Sequence, residues 1–238
     1  MPKLSIAIPT FESYGKGAEF IDDLLRTIEI QTFKDFEVVI SDHSKDEEVY
    51  NVVKQFQDKF EIVYLKNEED RGNGPANTNF AIDHCSGNII KVMFQDDFFY
   101  DDEALEKIHK EFGTSDKMWL VNGCNHTQDD GHSFYWEMYP KWNDNLLEGV
   151  NSISSPSVLS FRKEVSNRFD ETLVYFMDCE FYYGMNEKYG QPIFLNDVLI
   201  SNRVSEYSVT TNVSHKNRDY YVEKETKYCK KKYDLINV

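Results

Sequence analysis

The sequence predicts an α/β fold, a mostly parallel sheet flanked by helices with a smaller mixed extension after it. Three observations support this. Apolar and amphipathic runs alternate through residues 1–112 in the order βαβαβαβα, the pattern of a parallel sheet with crossover helices. The apolar runs are near-continuous, as in strands buried on both faces. Beyond about residue 115 the alternation stops and aromatic-rich, strand-like segments take over.

LSIAIPT (4–10) is the first strand. AEFIDDLLRTIEIQ (18–31) places Ile21, Leu24, Leu25 and Ile28 at helical spacing, with charges opposite. FEVVISD (36–42) is the second strand, and residues 46–60 form an amphipathic helix with acids in its first turn, favourable for the helix dipole. EIVYLKN (61–67) is strand, ANTNFAIDHC (76–85) helix, NIIKVMF (88–94) strand and DEALEKIHKEF (102–112) helix. In the second half MWLVNGCNHT, HSFYWEMYP, SPSVLSFRK (155–163) and PIFLNDVLISNRV (192–204) read as strands. DCEFYYGMNEKYG (178–190) reads as a helix ended by Gly190, and the tail KETKYCKKKYDLI as a solvated terminal helix with a small basic cluster.

Composition narrows the function. The 238 residues are 40% hydrophobic and 15% aromatic, enough for a sizeable core. A net charge of −16 argues against nucleic acid as a partner, while a bound cation can still invert the field locally for a phosphorylated one. The four cysteines are scattered without a CxxC pair, so reduced, buried thiols are expected rather than a zinc site. The chain runs directly into its first strand, and no apolar run is long enough to span a bilayer. A soluble, cytoplasmic protein is the expectation, with room for peripheral membrane contact through the basic tail.

Ligands of open α/β sheets bind outside the carboxyl ends of the strands. Each of the first four strands ends in polar residues: Thr10–Glu12, Asp42–Ser44, Asn67–Arg71 and Asp96–Asp97. Asp96 and Asp97 stand side by side after an apolar run, where like charges repel and burial makes the repulsion worse. Either something compensates that repulsion or the pair is merely solvated. Asp101 and Asp102 already stand before the next helix as caps, which leaves the earlier pair free for another role.

The segment RTIEIQTFKDFEVVISDHSKDEE (26–48) resembles the helix, turn, second strand and Asp-x-Ser loop of the inverting family-two glycosyltransferases, which have the GT-A fold. LSIAIPTFES, EDRGNGPANTNFAI, VMFQDDFF and RFDETLVYFMDCEF continue the likeness in order over most of residues 3–190. The resemblance implies a Rossmann-like GT-A domain over 1–215, with a nucleotide-sugar half (1–112), an acceptor-side half (113–215) and a helical tail (216–238). It implies transfer of a sugar, with inversion, from a UDP-, GDP- or dTDP-linked donor to a hydroxyl of a glycan or other acceptor.

The resemblance also assigns roles. Asp97 would ligate Mn²⁺ or Mg²⁺ bridging the two phosphates, and Asp96 would hold the ribose. Thr10, Phe11, Glu12 and Asp42 would line the nucleotide; from the residues alone Phe11 is equally a core aromatic and Asp42 equally a helix cap. Arg71 would meet the pyrophosphate or ribose. Asp178 would be the general base, with Met177 where the family has Glu and Glu180 as a nearby substitute. Arg203 is followed by Ser205 where the family often has a histidine; His215 could stand in, but reads better as a lone surface histidine. Phe134, Tyr135, Trp136, Tyr139 and Trp142 divide between core and acceptor side.

A binding module without catalysis has no need of both Asp97 and Asp178. A sugar-phosphate nucleotidyltransferase wants a Gly-rich basic loop of different spacing after the first strand. An aspartyl phosphohydrolase wants its carboxylates on that first strand, where this chain has none.

Overall fold

The first strand, β1 (Leu4–Thr10), is buried along almost its whole length and organises the sheet around itself. It pairs in parallel with β2 (Phe36–Asp42) on one side and β4 (Ile89–Val92) on the other, and β3 (Glu61–Lys66) extends β2 in parallel. The computed structural model describes residues 3–206, 208, 211 and 217–235. Among them the strand order is β3-β2-β1-β4-β8-β6-β9-β5, with β5 the short strand Phe98–Phe99 and β7 (Tyr135–Met138) paired to β6 (Trp119–Thr127). The strand β8 (Leu159–Arg162) lies antiparallel between β4 and β6, and β9 (Ile193–Arg203) runs parallel to β6.

The helices follow from local signals. The helix α1 (Gly17–Glu29) buries Phe20, Ile21, Leu24, Leu25 and Ile28 against the sheet. It begins on glycine because a Cβ at Gly17 would stand 2.2 Å from the Phe11 carbonyl oxygen. The helix α2 (Glu48–Val53) is shorter than the spacing of residues 46–60 predicts and ends in a tight turn at Lys54–Phe56. That turn brings Phe56 and Phe60 together at 6.2 Å, with Phe60 5.7 Å from Phe36. The helix α3 (Gly74–Asp83) starts two residues before the predicted 76, because Asn73 accepts from the Ala76 N–H at 3.1 Å and Pro75 suits the first turn.

The helix α4 (Ala104–Thr114) crosses to β6, and α5 (Met177–Tyr189) ends at Gly190 as predicted. Asp101 accepts from the Glu103 N–H at 2.7 Å, so it turns the chain into α4 without capping it directly. The tail forms α6 (Arg218–Lys232), and here the expectation of a solvated helix fails. Cys229 is fully buried among Leu147, Leu173 and Phe176, while Lys230 pairs with Glu148 at 2.6 Å. Burial of these apolar groups, more than the charges, docks the helix. All four cysteines are free and buried. Among the described residues no helix is long and apolar enough to cross a membrane.

Candidate active site

The parallel arrangement brings the ends of β1 and β2 together, because Thr10 and Asp42 are register partners. Asp42 is fully buried and accepts from Thr10 Oγ1 at 3.1 Å, the Ser44 N–H at 2.8 Å, Tyr64 at 2.5 Å and Lys66 Nζ at 3.3 Å. A carboxylate has about four acceptor positions, and all are engaged. Asp42 therefore neither caps α2 nor turns an open lone pair outward. Burial and the bond to Asp42 raise the Tyr64 phenol. Asn77 on α3 donates to the carbonyls of Thr10 and Ser41, both at 3.1 Å, which fixes α3 across the two strand ends.

The end of β4 joins the same edge through Gln95. Its side chain accepts from the Phe11 N–H at 2.9 Å and donates to the Phe11 carbonyl at 3.0 Å. This strap leaves the Phe11 ring 42% exposed at the rim, so Phe11 is not a core aromatic. Glu12 sits beside it at the start of the short turn Ser13–Gly15.

Asp96 and Asp97 diverge. Asp97 is 4% exposed and turns inward, accepting from the Arg203 N–H at 3.0 Å and from Ser155 Oγ at 3.3 Å. The Asp96 carbonyl accepts from Arg203 Nε at 3.0 Å, while its carboxylate takes no hydrogen bond from another described residue's side chain or backbone and leans only on its own N–H. Asp97 is therefore the less available of the pair for a ligand, against the expectation from sequence. Burial, then Asp96, pushes the Asp97 carboxyl up to about 7, and burial raises Asp96 as well. Arg203 does not face the open edge: its guanidinium pairs with Asp23 at 2.7 Å and with Asp130, and lies over Phe20 and Phe98.

Lys91 is a site-flanking residue that sequence reading passed over, though a lysine inside the apolar run NIIKVMF was the signal. It is fully buried, bonds the Ser157 carbonyl and Asn122, and is held down to about 7 by burial, with Asp97 opposing the shift.

Asp178 lies in the first turn of α5, where the helix dipole favours a carboxylate. Its Oδ2 accepts from Asn151 Nδ2 at 2.7 Å and its Oδ1 from the Cys179 N–H at 2.7 Å. Burial nevertheless raises its carboxyl to about 6. Asn151 is oriented by its own oxygen, which accepts from the N–H groups of Ile153 and Ser154 at 3.1 and 2.9 Å. The same loop holds Ser154 at φ 107°, a strained value for a non-glycine residue, and reaches Asp97 through Ser155. One segment, 151–155, thus links the two carboxylate centres. Asn151 and Ser155 had no sequence signal, because a loop asparagine or serine is ordinary until its partners are known.

The remaining candidates divide. Arg71 stands close enough to His43, the residue after Asp42, to lower that imidazole together with burial, and its other contact is Glu68 at 3.9 Å. His43 Nε2 and Ser44 Oγ are buried without partners among the described residues. Glu180 cannot substitute for the base: it is 3% exposed and bonded to Tyr233 at 2.6 Å and Lys232 at 2.7 Å. Trp136 is 67% exposed and stacks on His126 at 4.9 Å, while Phe134, Tyr135 and Tyr139 are also exposed. Trp142 instead packs toward Tyr183. The residues before β7's partner strand ends, His126 and Thr127, are register partners of Asn202 and Arg203, so the aromatic hairpin adjoins Asp97. His215 lies outside the described residues.

Among the described residues no three His, Cys, Asp or Glu side chains converge to hold a metal by themselves. A half-buried carboxylate that no other described residue engages, at Asp96, does fit a small divalent ion that takes one or two protein oxygens and completes its shell with water and phosphate.

The family model for glycosyl transferase family 2 matches residues 5–169, more than half of the chain. The chain belongs to glycosyl transferase family 2. A relative from Campylobacter jejuni, the GalNAc(5)-diNAcBac-PP-undecaprenol beta-1,3-glucosyltransferase, is 31% identical over 98 residues, 41% of this chain and 30% of its own length. An uncharacterized glycosyltransferase of Rickettsia typhi is 24% identical over 92% of this chain and 69% of its own length. Among solved structures, Staphylococcus aureus TarS in complex with UDP-GlcNAc superposes with a TM-score of 0.69 at 19% identity, over 86% of this chain and 59% of that one. A Pyrobaculum calidifontis mannosyltransferase with GDP-Man and Mn²⁺ gives 0.64 at 16% identity, over 86% and 58%. These likenesses establish the GT-A architecture for this family-2 domain, which spans less than two thirds of the Campylobacter protein and of both solved chains.

Proposed function

We propose that this family-2 domain transfers a sugar, with inversion, from a nucleoside-diphosphate donor to a hydroxyl acceptor, with Asp178 as general base. The observation that supports it most is the 151–155 loop, which bonds Asp178 through Asn151 and Asp97 through Ser155. A base and a donor-side carboxylate braced by one loop keep a fixed relation, as a single displacement requires. The acceptor oxygen attacks the anomeric carbon, the carbon–oxygen bond to phosphate breaks, and the hydroxyl proton passes to Asp178. The nucleoside diphosphate leaves with the bonding electrons. A carboxyl raised to about 6 is ionised at neutral pH yet basic enough to take that proton.

On the donor side Asp96, rather than Asp97, would hold Mn²⁺ or Mg²⁺, because its carboxylate is the unengaged one. The ion, when bound, would stabilise charge on the departing diphosphate as a Lewis acid. Asp97 then acts as an inner brace for Arg203 and Ser155. Thr10, Asp42 and Asn77 shape the floor of the nucleotide site, and the exposed Phe11 ring offers a stacking face for a base. Glu12 and Arg71 at the rim would meet ribose or phosphate. His43 Nε2 and Ser44 Oγ, without partners among the described residues, favour a polar base edge at the end of β2. The donor would be UDP-, GDP- or dTDP-linked, in line with the UDP-GlcNAc and GDP-Man seen in the structural neighbours.

On the acceptor side Trp136, Tyr135 and Tyr139 would stack on a glycan. Exposed carboxylates at Glu137, Asp129 and Asp130 lie on the same hairpin and would favour a neutral acceptor over an anionic one. A thermal-shift screen of UDP, GDP and dTDP with and without Mn²⁺ tests the donor side. One nucleotide should raise the melting temperature, and more so with Mn²⁺. No shift with any of the three would refute the donor assignment.

A further inference from the structure

Glu225 on α6 is 2% exposed, and its carboxylate faces backbone rather than a cation. Oε1 accepts from the Val174 N–H at 3.0 Å, and Oε2 accepts from the Tyr175 and Phe176 N–H groups at 3.0 and 2.8 Å. These three consecutive groups immediately precede α5, so no carbonyl within that helix can satisfy them. Asp178 follows two residues after Phe176. The start of the helix bearing Asp178 is thus gripped by a side chain 49–51 residues away in sequence.

The rest of α6 fixes that grip from both sides. Lys232 bridges Asp170 at 2.6 Å and Glu180 at 2.7 Å, which flank the segment carrying Asp178. Tyr228 donates to Asp170 at 2.9 Å, and Tyr233 donates to Glu180 at 2.6 Å. Gly184 on α5 makes room for this contact, since a Cβ there would stand 2.5 Å from the Tyr233 hydroxyl.

We propose that α6 belongs to the catalytic apparatus and that Glu225 is a positioning residue for Asp178, an inference that rests on the reading of Asp178 as the base. Holding the 174–176 N–H groups fixes where α5 begins, and so where the Asp178 carboxylate stands relative to Asn151. The role requires a carboxylate because both oxygens accept. A glutamine keeps one acceptor and turns an NH₂ toward at least one N–H.

The test is Glu225→Gln in the full chain, with Mn²⁺ and a panel of UDP-GlcNAc, UDP-glucose and GDP-mannose. Release of nucleoside diphosphate gives kcat and its pH profile, and calorimetry gives UDP and GDP affinity. The expected result is a kcat lowered about 10- to 100-fold, nucleotide affinity within about twofold of wild type, and a displaced acid limb. Hydrogen exchange at the 174–176 amides should quicken while β1 and β2 amides stay protected. If Glu225→Gln does not fold, Glu225→Asp, which shortens the reach by one methylene, should give the same signature in weaker form. Unchanged kcat and pH profile in either folded variant overturn the proposal, as does a parallel loss of kcat and nucleotide affinity. Asp178→Asn is measured alongside. If it is inactive while Glu225→Gln keeps full turnover, only the positioning role falls; if it keeps turnover itself, the base assignment falls and takes the positioning role with it.

Discussion

Asp178→Asn should lose activity and gain stability at the same time. Removing a general base lowers turnover by about 10²- to 10⁴-fold. The stability gain follows from the raised carboxyl, which moves from 3.8 to about 6 on burial. At about 1.4 kcal/mol per pH unit, that shift corresponds to about 3 kcal/mol held against the ionised form in the folded state. The sign runs with pH. Below the unfolded value of about 4 both states carry the proton and the wild type is not penalised. Between about 4 and 6 the folded state binds more protons than the unfolded one, so wild-type stability falls as pH rises. Above about 6 the full penalty applies; the neutral amide avoids it, its oxygen still accepting from Asn151, while its NH₂ turned toward the Cys179 N–H offsets part of the gain. Thermal melts of both proteins from pH 4 to 8 should show a several-degree advantage for Asp178→Asn at pH 8 that vanishes near pH 4. The same raised carboxyl places the acid limb of wild-type turnover near pH 6. A variant no more stable at pH 8 than at pH 4 would refute the buried-carboxylate reasoning, and wild-type turnover in it would refute the base.

Asp96→Asn should weaken Mn²⁺-dependent nucleotide binding at least about tenfold, or about 1.4 kcal/mol, without lowering the melting temperature. Asp97→Ala should instead destabilise by about 1–3 kcal/mol, because the Arg203 N–H is left buried without a partner; calorimetry and denaturant titration separate the two. Asn151→Ala removes a donor to the ionised base, so the acid limb of the rate profile should move above about pH 6. Trp136→Ala should raise KM for a neutral glycan acceptor about fivefold, a ring contact of about 1 kcal/mol, and leave donor affinity unchanged.

Much of the fold was legible because its signals are local. Helical spacing in α1, continuous apolar strands and the polar strand ends all lie within single windows of sequence. The two-residue strand β5 (Phe98–Phe99) was not, since only its pairing with Ile200 and Ser201 makes it a strand. The insertion of β8 between β4 and β6 is likewise non-local. In the site, the carboxylates could be named from motif and type, but strand parity ends before Asp96. Which of the pair turns inward depends on Arg203 and Ser155, more than 50 residues away. Asn151 and Glu225 were illegible for the same reason: a buried partner, not a pattern, gives each its role. The tail looked solvated because its lysines are as many as its apolar residues, yet buried Glu225 and Cys229, with the Lys232 and Tyr233 contacts, dock it.

The most direct measurement is the anomeric configuration of the product, read by NMR during turnover of an α-linked UDP- or GDP-sugar with Mn²⁺ and a glycan acceptor. Single displacement with Asp178 as base gives a β-linked product. An α-linked product, or no turnover of any such donor, would contradict it.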